Sequence, residues 1–430
     1  MFILYDIFFI VFALAYFPYV LLKRKWHPGF VMRFGIFPED IKQKLLSEKN
    51  IWVHAVSVGE VMAVKHFVRR LKELHPDAQI VISTVTVTGN QLAREHFSEA
   101  VTIFAPLDFS LFVRSHLRLI RPEIYIAAET EIWPNIFYAM SRKGIPVIQI
   151  NGRISDKSYR RYRRLRGVLK TVLSHVTRFA MQTPVDAQRI ISIGADPKKV
   201  TVTGNMKFDD ILSGQPAPER IFAREGARVI VAGSTYPGEE DILVKIFLKL
   251  KQKYQDIAMI LAPRHIERAA DIEGFLVRND CHFSRLSGII NKGKYAEDIL
   301  LVDTIGHLRG LYAQATIVFV GKSLTGRGGQ NILEPASFAK PIIVGPYMDN
   351  FRAITDLFSR AGALITVYNE EELREAISAL LDDPDEASRL GRSGYQVIKG
   401  QQGSVEKTLQ EVEKLLAASR KQCSCKFSKP

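Results

Sequence analysis

The sequence predicts an α/β protein built from two doubly wound, Rossmann-like domains, and three observations predict it. Short apolar runs alternate with amphipathic stretches from about residue 50. The same alternation starts again near residue 228. Between the two series, residues 210–219 (DILSGQPAPE) are rich in turn formers and have little apolar periodicity. A chain of 430 residues is also too long for one ordinary core.

In the first series, residues 51–56, 79–85, 101–104, 124–128, 147–150 and 178–182 are apolar enough for buried strands. Residues 61–74, 91–97, 111–120, 134–143, 159–173 and 184–193 carry helical patterns between them. In the second series the strands fall at 228–232, 258–262, 299–302, 317–320 and 341–344. Its helices fall at 239–253, 266–277, 308–314, 335–338 and 350–361, with 370–382 and 404–418 after them. Such alternation implies a mostly parallel sheet covered by helices on both faces. The domains this gives are 26–209 and 220–418, joined by 210–219. A polar tail follows at 419–430. Ligands of doubly wound sheets collect beyond the carboxyl ends of the strands, so a cleft between the domains is expected to hold them.

Ahead of the first domain, residues 1–25 read as a membrane anchor. The run MFILYDIFFIVFALAYFPYVLL has one charge, Asp6, and is followed by Lys23, Arg24 and Lys25. About 20 apolar residues can span a bilayer, and the cations after them place the rest of the chain on the cytoplasmic side. A helix lying in the interface is the other reading, because Asp6 and Pro18 suit it. A cleaved signal peptide fits poorly, since its charges would precede the apolar run. With 47% hydrophobic and 24% charged residues, wholesale disorder is excluded. A net charge of +14 favours an acidic partner: nucleic acid, an anionic membrane or a phosphorylated substrate. Arg160, Arg161, Arg163, Arg164, Arg166 and Lys170 crowd one stretch and suit anionic head groups. Cys281, Cys423 and Cys425 form neither a disulfide framework nor a zinc site.

The loops after the strands carry the candidate chemistry. The first strand runs into HAVSVGE, which sets Glu60 at a helix start. There it would be ionised and suited to take a proton from a hydroxyl. TVTGN (86–90) offers amides and hydroxyls, or simply a helix cap. AETEIWPN puts Glu129 and Glu131 directly after a buried strand, where two acids are costly unless they face a polar site. GNMKFDD places Lys207 where it can meet a developing negative charge. Asp209 and Asp210 have no further ligand at a useful spacing and read as a solvated turn. In the second half, Arg264 of APRH can fork onto an anion. DTIGHL covers Gly306, His307 and Leu308. GKSLTGRGGQNILEP is neither a Walker A loop nor a dinucleotide fingerprint. Its glycines allow close backbone approach, Asn331 to Glu334 would open a helix toward a phosphate, and Glu334 could accept ribose hydroxyls.

HAVSVGE, TVTGN, ETEIWPN, VTGNMKFD, APRH, DTIG and RGGQNILEPA occur in this order between residues 54 and 336. As an ordered set they resemble the 3-deoxy-D-manno-octulosonic acid (Kdo) transferases of lipopolysaccharide assembly. The resemblance implies a GT-B fold and an inverting, metal-independent glycosyl transfer without a cofactor. It implies CMP-Kdo as donor, a lipid A precursor (lipid IVA) as acceptor, and a place at the cytoplasmic side of the inner membrane rather than on nucleic acid. It gives Glu60 the role of general base, and Glu129 and Lys207 that of stabilising the transition state. It assigns CMP binding to Pro263, Arg264, Gly306, His307, Leu308, Asn331, Ile332, Leu333 and Glu334. His307 departs from the family pattern, in which many members carry an acidic residue. The alternatives are another membrane-associated GT-B enzyme that uses a UDP-sugar, and a non-enzymatic, membrane-tethered nucleotide-binding scaffold.

Overall fold

The computed structural model describes residues 2–22, 29–46, 49–213, 226–290 and 297–427. The chain forms two compact units, residues 1–210 with 402–430 and residues 211–401. Each is built on a seven-stranded sheet whose pairings are all parallel.

The first sheet consists of β1 (Asn50–His54), β2 (Gln79–Thr84), β3 (Val101–Phe104), β4 (Pro122–Ala128), β5 (Val147–Gly152), β6 (Arg178–Met181) and β7 (Val200–Val202). Their order is β3-β2-β1-β4-β5-β6-β7, so β1 is flanked by β2 and β4, with Val53 level with Ile82 and Ile126. Alternate residues of these runs face opposite sides. Trp52 and Tyr125 join one core with Phe137, while Ile51, Val53, Ile124 and Ile126 join the other. Both faces are covered, which is why Ile51, Trp52 and Val53 run apolar without alternation and β1 is buried throughout.

The second sheet consists of β8 (Arg228–Thr235), β9 (Ile257–Pro263), β10 (Phe283–Arg285), β11 (Ile299–Leu301), β12 (Ile317–Val320), β13 (Ile342–Val344) and β14 (Ile365–Thr366). Their order is β10-β11-β9-β8-β12-β13-β14. β7, β10 and β14 escape the sequence reading; each has at most three residues, at a sheet edge and outside the fully buried class.

Four expectations need correcting. The helix Ser404–Phe427 belongs with the first unit, not the second, and its length absorbs most of the expected tail. Val405, Leu409, Val412 and Leu416 pack into the first unit's core, each worth roughly 1.5–3 kcal/mol when fully buried. Of the expected linker, Asp210 to Ser213 continue the helix Lys207–Ser213; 214–219 lie outside the described residues. Asp209 is no solvated turn: it is buried, and its carboxylate accepts hydrogen bonds from the amides of Gly403 (2.7 Å) and Val405 (2.6 Å). It thereby caps the start of the helix Ser404–Phe427 from another element.

The fourth correction concerns the anchor. Among the described residues no helix is long and apolar enough to cross a membrane. Phe2–Leu22 is a helix whose first half docks on the first unit instead. The Asp6 carboxylate accepts from the Asn135 amide group (2.7 Å) and the Ser110 N–H (3.2 Å). Phe2 stacks on Tyr138 and Phe9 on Phe109. The one charge of the run thus has partners in the protein. Ile3, Leu4, Ile7, Phe8, Val11 and Leu14 form an exposed stripe at helical spacing. Lys23, Arg24 and Lys25 lie outside the described residues. The basic stretch forms two helices, Asp156–Arg164 and Arg166–Ser174, and no residue of the first is buried.

Candidate active site

In a doubly wound sheet the ligand crevice lies where the strand order reverses. In the first unit that point falls between β1 and β4. Glu60 follows β1, and Glu129 and Glu131 follow β4, so the topology alone gathers three of the predicted acids at one place.

Glu60 sits in the helix Val58–Ala63 and is 7% exposed. Its carboxyl turns back to its own helix start, accepting from the Val56 N–H (2.7 Å) and the Ser57 hydroxyl (3.2 Å). Even so, the ionised form expected at this helix start is disfavoured in the free protein. Burial pushes its pKa up to about 8, and the charges of Glu131 and Glu129 add to this. The two hydrogen bonds oppose the shift without cancelling it. The helix-start amides favour the anion, but desolvation and two acidic neighbours outweigh them.

Glu129 directly follows β4 with φ at +53°, a left-handed conformation rare outside glycine. Its N–H donates to the Ile150 carbonyl (2.9 Å), which fixes the turn against β5. Thr130 locks it further: its hydroxyl donates to the Arg153 carbonyl (2.6 Å) and accepts the Arg153 N–H (2.9 Å). Strain of about 1–3 kcal/mol at such a residue persists only where surroundings impose it, commonly at functional sites. Burial also raises the Glu131 pKa, with Glu129 as the second cause.

Lys207 opens the helix Lys207–Ser213, and its N–H donates to Asn205 Oδ1 (3.0 Å). The preceding Met206 N–H donates to Asn151 Oδ1 (3.2 Å) at the end of β5. Burial lowers the Lys207 pKa, Glu129 opposes that shift, and Arg153 reinforces it. Glu129 thus acts on the charge of Glu60, Glu131 and Lys207, and Arg153 acts on that of Lys207. Arg153 escapes the sequence reading, although its place directly after β5 is the signal that could have found it. The TVTGN segment serves as a helix cap. Thr86 caps its helix by accepting the Gly89 N–H (3.1 Å), and the Asn90 amide donates to Thr84 Oγ1 and the Ile103 carbonyl. His54 is likewise structural: it is fully buried against Ser83 Oγ (2.8 Å), and burial lowers its pKa to about 4.

In the second unit the reversal falls between β8 and β12. Pro263 ends β9 and is buried, and the exposed Arg264 donates its N–H to the Thr235 carbonyl (3.0 Å). Gly306 takes a left-handed φ of +97° before His307, which starts the short helix Leu308–Leu311. The expected phosphate-facing helix at Asn331 is only Leu333–Ser337. Asn331 Oδ1 already accepts the Leu333 N–H (3.1 Å), and its amide group donates to Glu334 (3.1 Å). That segment is therefore a side-chain-capped turn with Ile332 and Leu333 buried, not an open row of amides. Glu334 has its pKa raised by burial, against the Asn331 bond and the charges of Arg309 and Arg264. Arg264, Arg309 and Glu334 accordingly share one electrostatic neighbourhood.

Two parallel-sheet units of this kind are also seen in a UDP-GlcNAc 2-epimerase from Neisseria meningitidis, with a TM-score of 0.59 and 14% identity, covering 85% of this chain and all of that one. MurG from Acinetobacter baumannii gives 0.54 and 12%, covering 85% and 99%. The fold is that of the GT-B class, and residues 241–397 match the family model of glycosyl transferases group 1. The chain is a glycosyltransferase. Residues 29–210 match the model of the 3-deoxy-D-manno-octulosonic-acid transferases. The chain is 31% identical to a 3-deoxy-D-manno-octulosonic acid transferase from Haemophilus influenzae, over 84% of this chain and 86% of that one. It is 26% identical to the one from Chlamydophila psittaci, over 96% of both. The chain belongs to the 3-deoxy-D-manno-octulosonic acid transferase family.

Proposed function

We propose that this enzyme transfers Kdo, with inversion, from CMP-Kdo to a sugar hydroxyl of a lipid A precursor (lipid IVA). The observation that carries the mechanism is that Glu129, at the reversal between β1 and β4, acts on both Glu60, buried with a pKa of about 8, and Lys207, on which Arg153 also acts. A base works best when its pKa lies near the working pH. Once ionised, Glu60 takes the proton of the acceptor hydroxyl. The hydroxyl oxygen then bonds to the anomeric carbon of Kdo, and the bond from that carbon to the phosphate oxygen breaks. CMP leaves with the electron pair. Lys207 and Arg153 supply positive charge for the sugar's carboxylate and the departing phosphate, and Glu129 keeps Lys207 charged despite its burial. In the second unit, Arg264 with Arg309 suits the phosphate and Glu334 the ribose; Pro263, Gly306, His307, Leu308 and Asn331 to Leu333 shape the surrounding turns.

The acceptor is a membrane lipid under this reading, met at the cytoplasmic side of the inner membrane, and two features of the first unit support it. The apolar stripe of the helix Phe2–Leu22 suits an in-plane position better than a span, because Asp6 is held by Asn135 and Ser110. Beside it lies a cleft of about 690 Å³ lined by Arg114, Arg118, Arg142 and Lys143 as well as Asp6. These cations complement lipid phosphates. Radiolabelled Kdo transfer from CMP-Kdo to lipid IVA tests the reaction. Activity with a UDP-sugar and none with CMP-Kdo refutes it. Co-sedimentation with anionic vesicles tests the membrane placement, and equal recovery with and without vesicles refutes that part.

A further inference from the structure

The reversal point of the second unit contains a carboxylate that none of the assignments above uses. Glu239 opens the helix Glu239–Lys253 and is fully buried. Four backbone N–H groups donate to it: Tyr236 (2.8 Å) and Lys322 (2.7 Å) to one oxygen, Ser323 (2.9 Å) and Leu324 (2.9 Å) to the other. Three of these donors are consecutive residues of the loop that leaves β12. A carboxylate offers about four acceptor positions, so Glu239 is saturated by the loop it holds. The loop has closed around it: a Cβ on Gly321 would stand 2.8 Å from the Glu239 oxygen and 2.5 Å from Thr235 Cα. That approach requires glycine at 321.

Within this clamp Lys322 has a left-handed backbone, φ +55°. The Gly329 N–H donates to its carbonyl (2.9 Å), and its ammonium stands 5.3 Å from the centre of the Tyr236 ring. Ser234, at the end of the adjacent β8, is also left-handed at +54°. Two strained non-glycine residues therefore flank the strand reversal, where a doubly wound sheet takes its ligand. A lysine held over an aromatic face, on a backbone fixed by a buried anion, presents its charge with little entropy left to lose. We infer that Lys322 contacts an anionic group of the sugar-nucleotide donor, its phosphate or the sugar's carboxylate, and that Glu239 is the positioning residue that holds Lys322 there. This rests on the reading of the second unit as the CMP-Kdo site.

The test measures donor KM, acceptor KM and kcat for Lys322→Ala, Glu239→Gln and the double variant, with CMP affinity by calorimetry and melting temperature as controls. Lys322→Ala is expected to raise donor KM tenfold or more while acceptor KM stays within twofold and melting is unchanged. Glu239→Gln is expected to raise donor KM as well, and the double variant to be no worse than Lys322→Ala, since both act through one contact. Donor KM within twofold of wild type in Lys322→Ala overturns the inference, and this variant decides alone should Glu239→Gln fail to fold. Additive effects in the double variant overturn the positioning role of Glu239. If wild-type enzyme itself neither binds CMP nor uses CMP-Kdo, the donor reading falls first, and this inference falls with it.

Discussion

Each unit places carboxylates at the reversal of its own sheet, and the two sets live under opposite electrostatics. In the second unit Glu239 is saturated by four amides. Its neighbour Glu240 accepts from Arg268 (2.7 Å) and from the Thr235 hydroxyl (2.9 Å). In the first unit Glu60 has one amide and one hydroxyl, and Glu131 and Glu129 stand near enough to push its proton affinity up. Saturation makes a buried carboxylate part of the scaffold. Leaving it short of donors among like charges stores a proton affinity that a reaction can use.

This contrast predicts different costs for the same kind of substitution. Glu60→Gln should lower Kdo transfer by about 10²–10⁴-fold, the usual contribution of a general base, while calorimetry finds CMP affinity unchanged. A loss below tenfold would leave Glu60 without its role. Glu239→Ala should be the more damaging change for the fold, because four N–H groups lose their acceptor, those of Ser323 and Leu324 buried, at roughly 1–3 kcal/mol for each buried one left unsatisfied. Denaturant unfolding that shows no loss would mean the amides have found other partners.

The stability of wild type relative to Glu60→Gln should depend on pH. Its folded pKa of about 8 lies above the ordinary 4.5. The folded state therefore holds that proton more tightly, and the contribution is complete below about 4.5 and fades as pH rises through about 8. Wild type should lose stability relative to Glu60→Gln between those values, read as a widening gap in denaturation midpoints. A constant gap contradicts the burial argument. A smaller effect is expected from Asp209→Ala, which removes the acceptor of the Gly403 and Val405 amides. It should cost about 1–2 kcal/mol, as loss of a helix cap does. Unchanged stability would show that water replaces the carboxylate.

The central strands are legible because burial on both faces keeps the middles of β1, β4, β8 and β9 free of charged residues, as in Ile51–Val53 and Val229–Ala232. The order of the motifs likewise located the acids, because each follows a strand at the carboxyl edge of the sheet. What escaped the sequence was set by long-range pairing. Nothing near Asp209 announces that its partners lie at Gly403 and Val405, so a buried cap read as a wet turn. Ser404–Phe427 carries an apolar stripe that fits either unit, and only packing against β4 and β6 assigns it. Glu60 does lie at a helix start, but its raised pKa is not legible there: helix-start amides are visible in a local pattern, whereas desolvation and the approach of Glu131 are not. Asp6 made the first 22 residues ambiguous between span and surface, and its hydrogen bonds to Asn135 and Ser110 belong to elements more than 100 residues away.

The claim on which the rest depends is that Glu60 works from a raised pKa, and the pH dependence of kcat/KM for Kdo transfer tests it most directly. A base must lose its proton to act, so the rate should climb as pH rises and level off above an inflection near 8. Glu131→Gln, which removes one of the charges raising that pKa, should move the inflection downward. A profile already flat between pH 6 and about 9, or an inflection near the ordinary carboxylate value, would contradict the account.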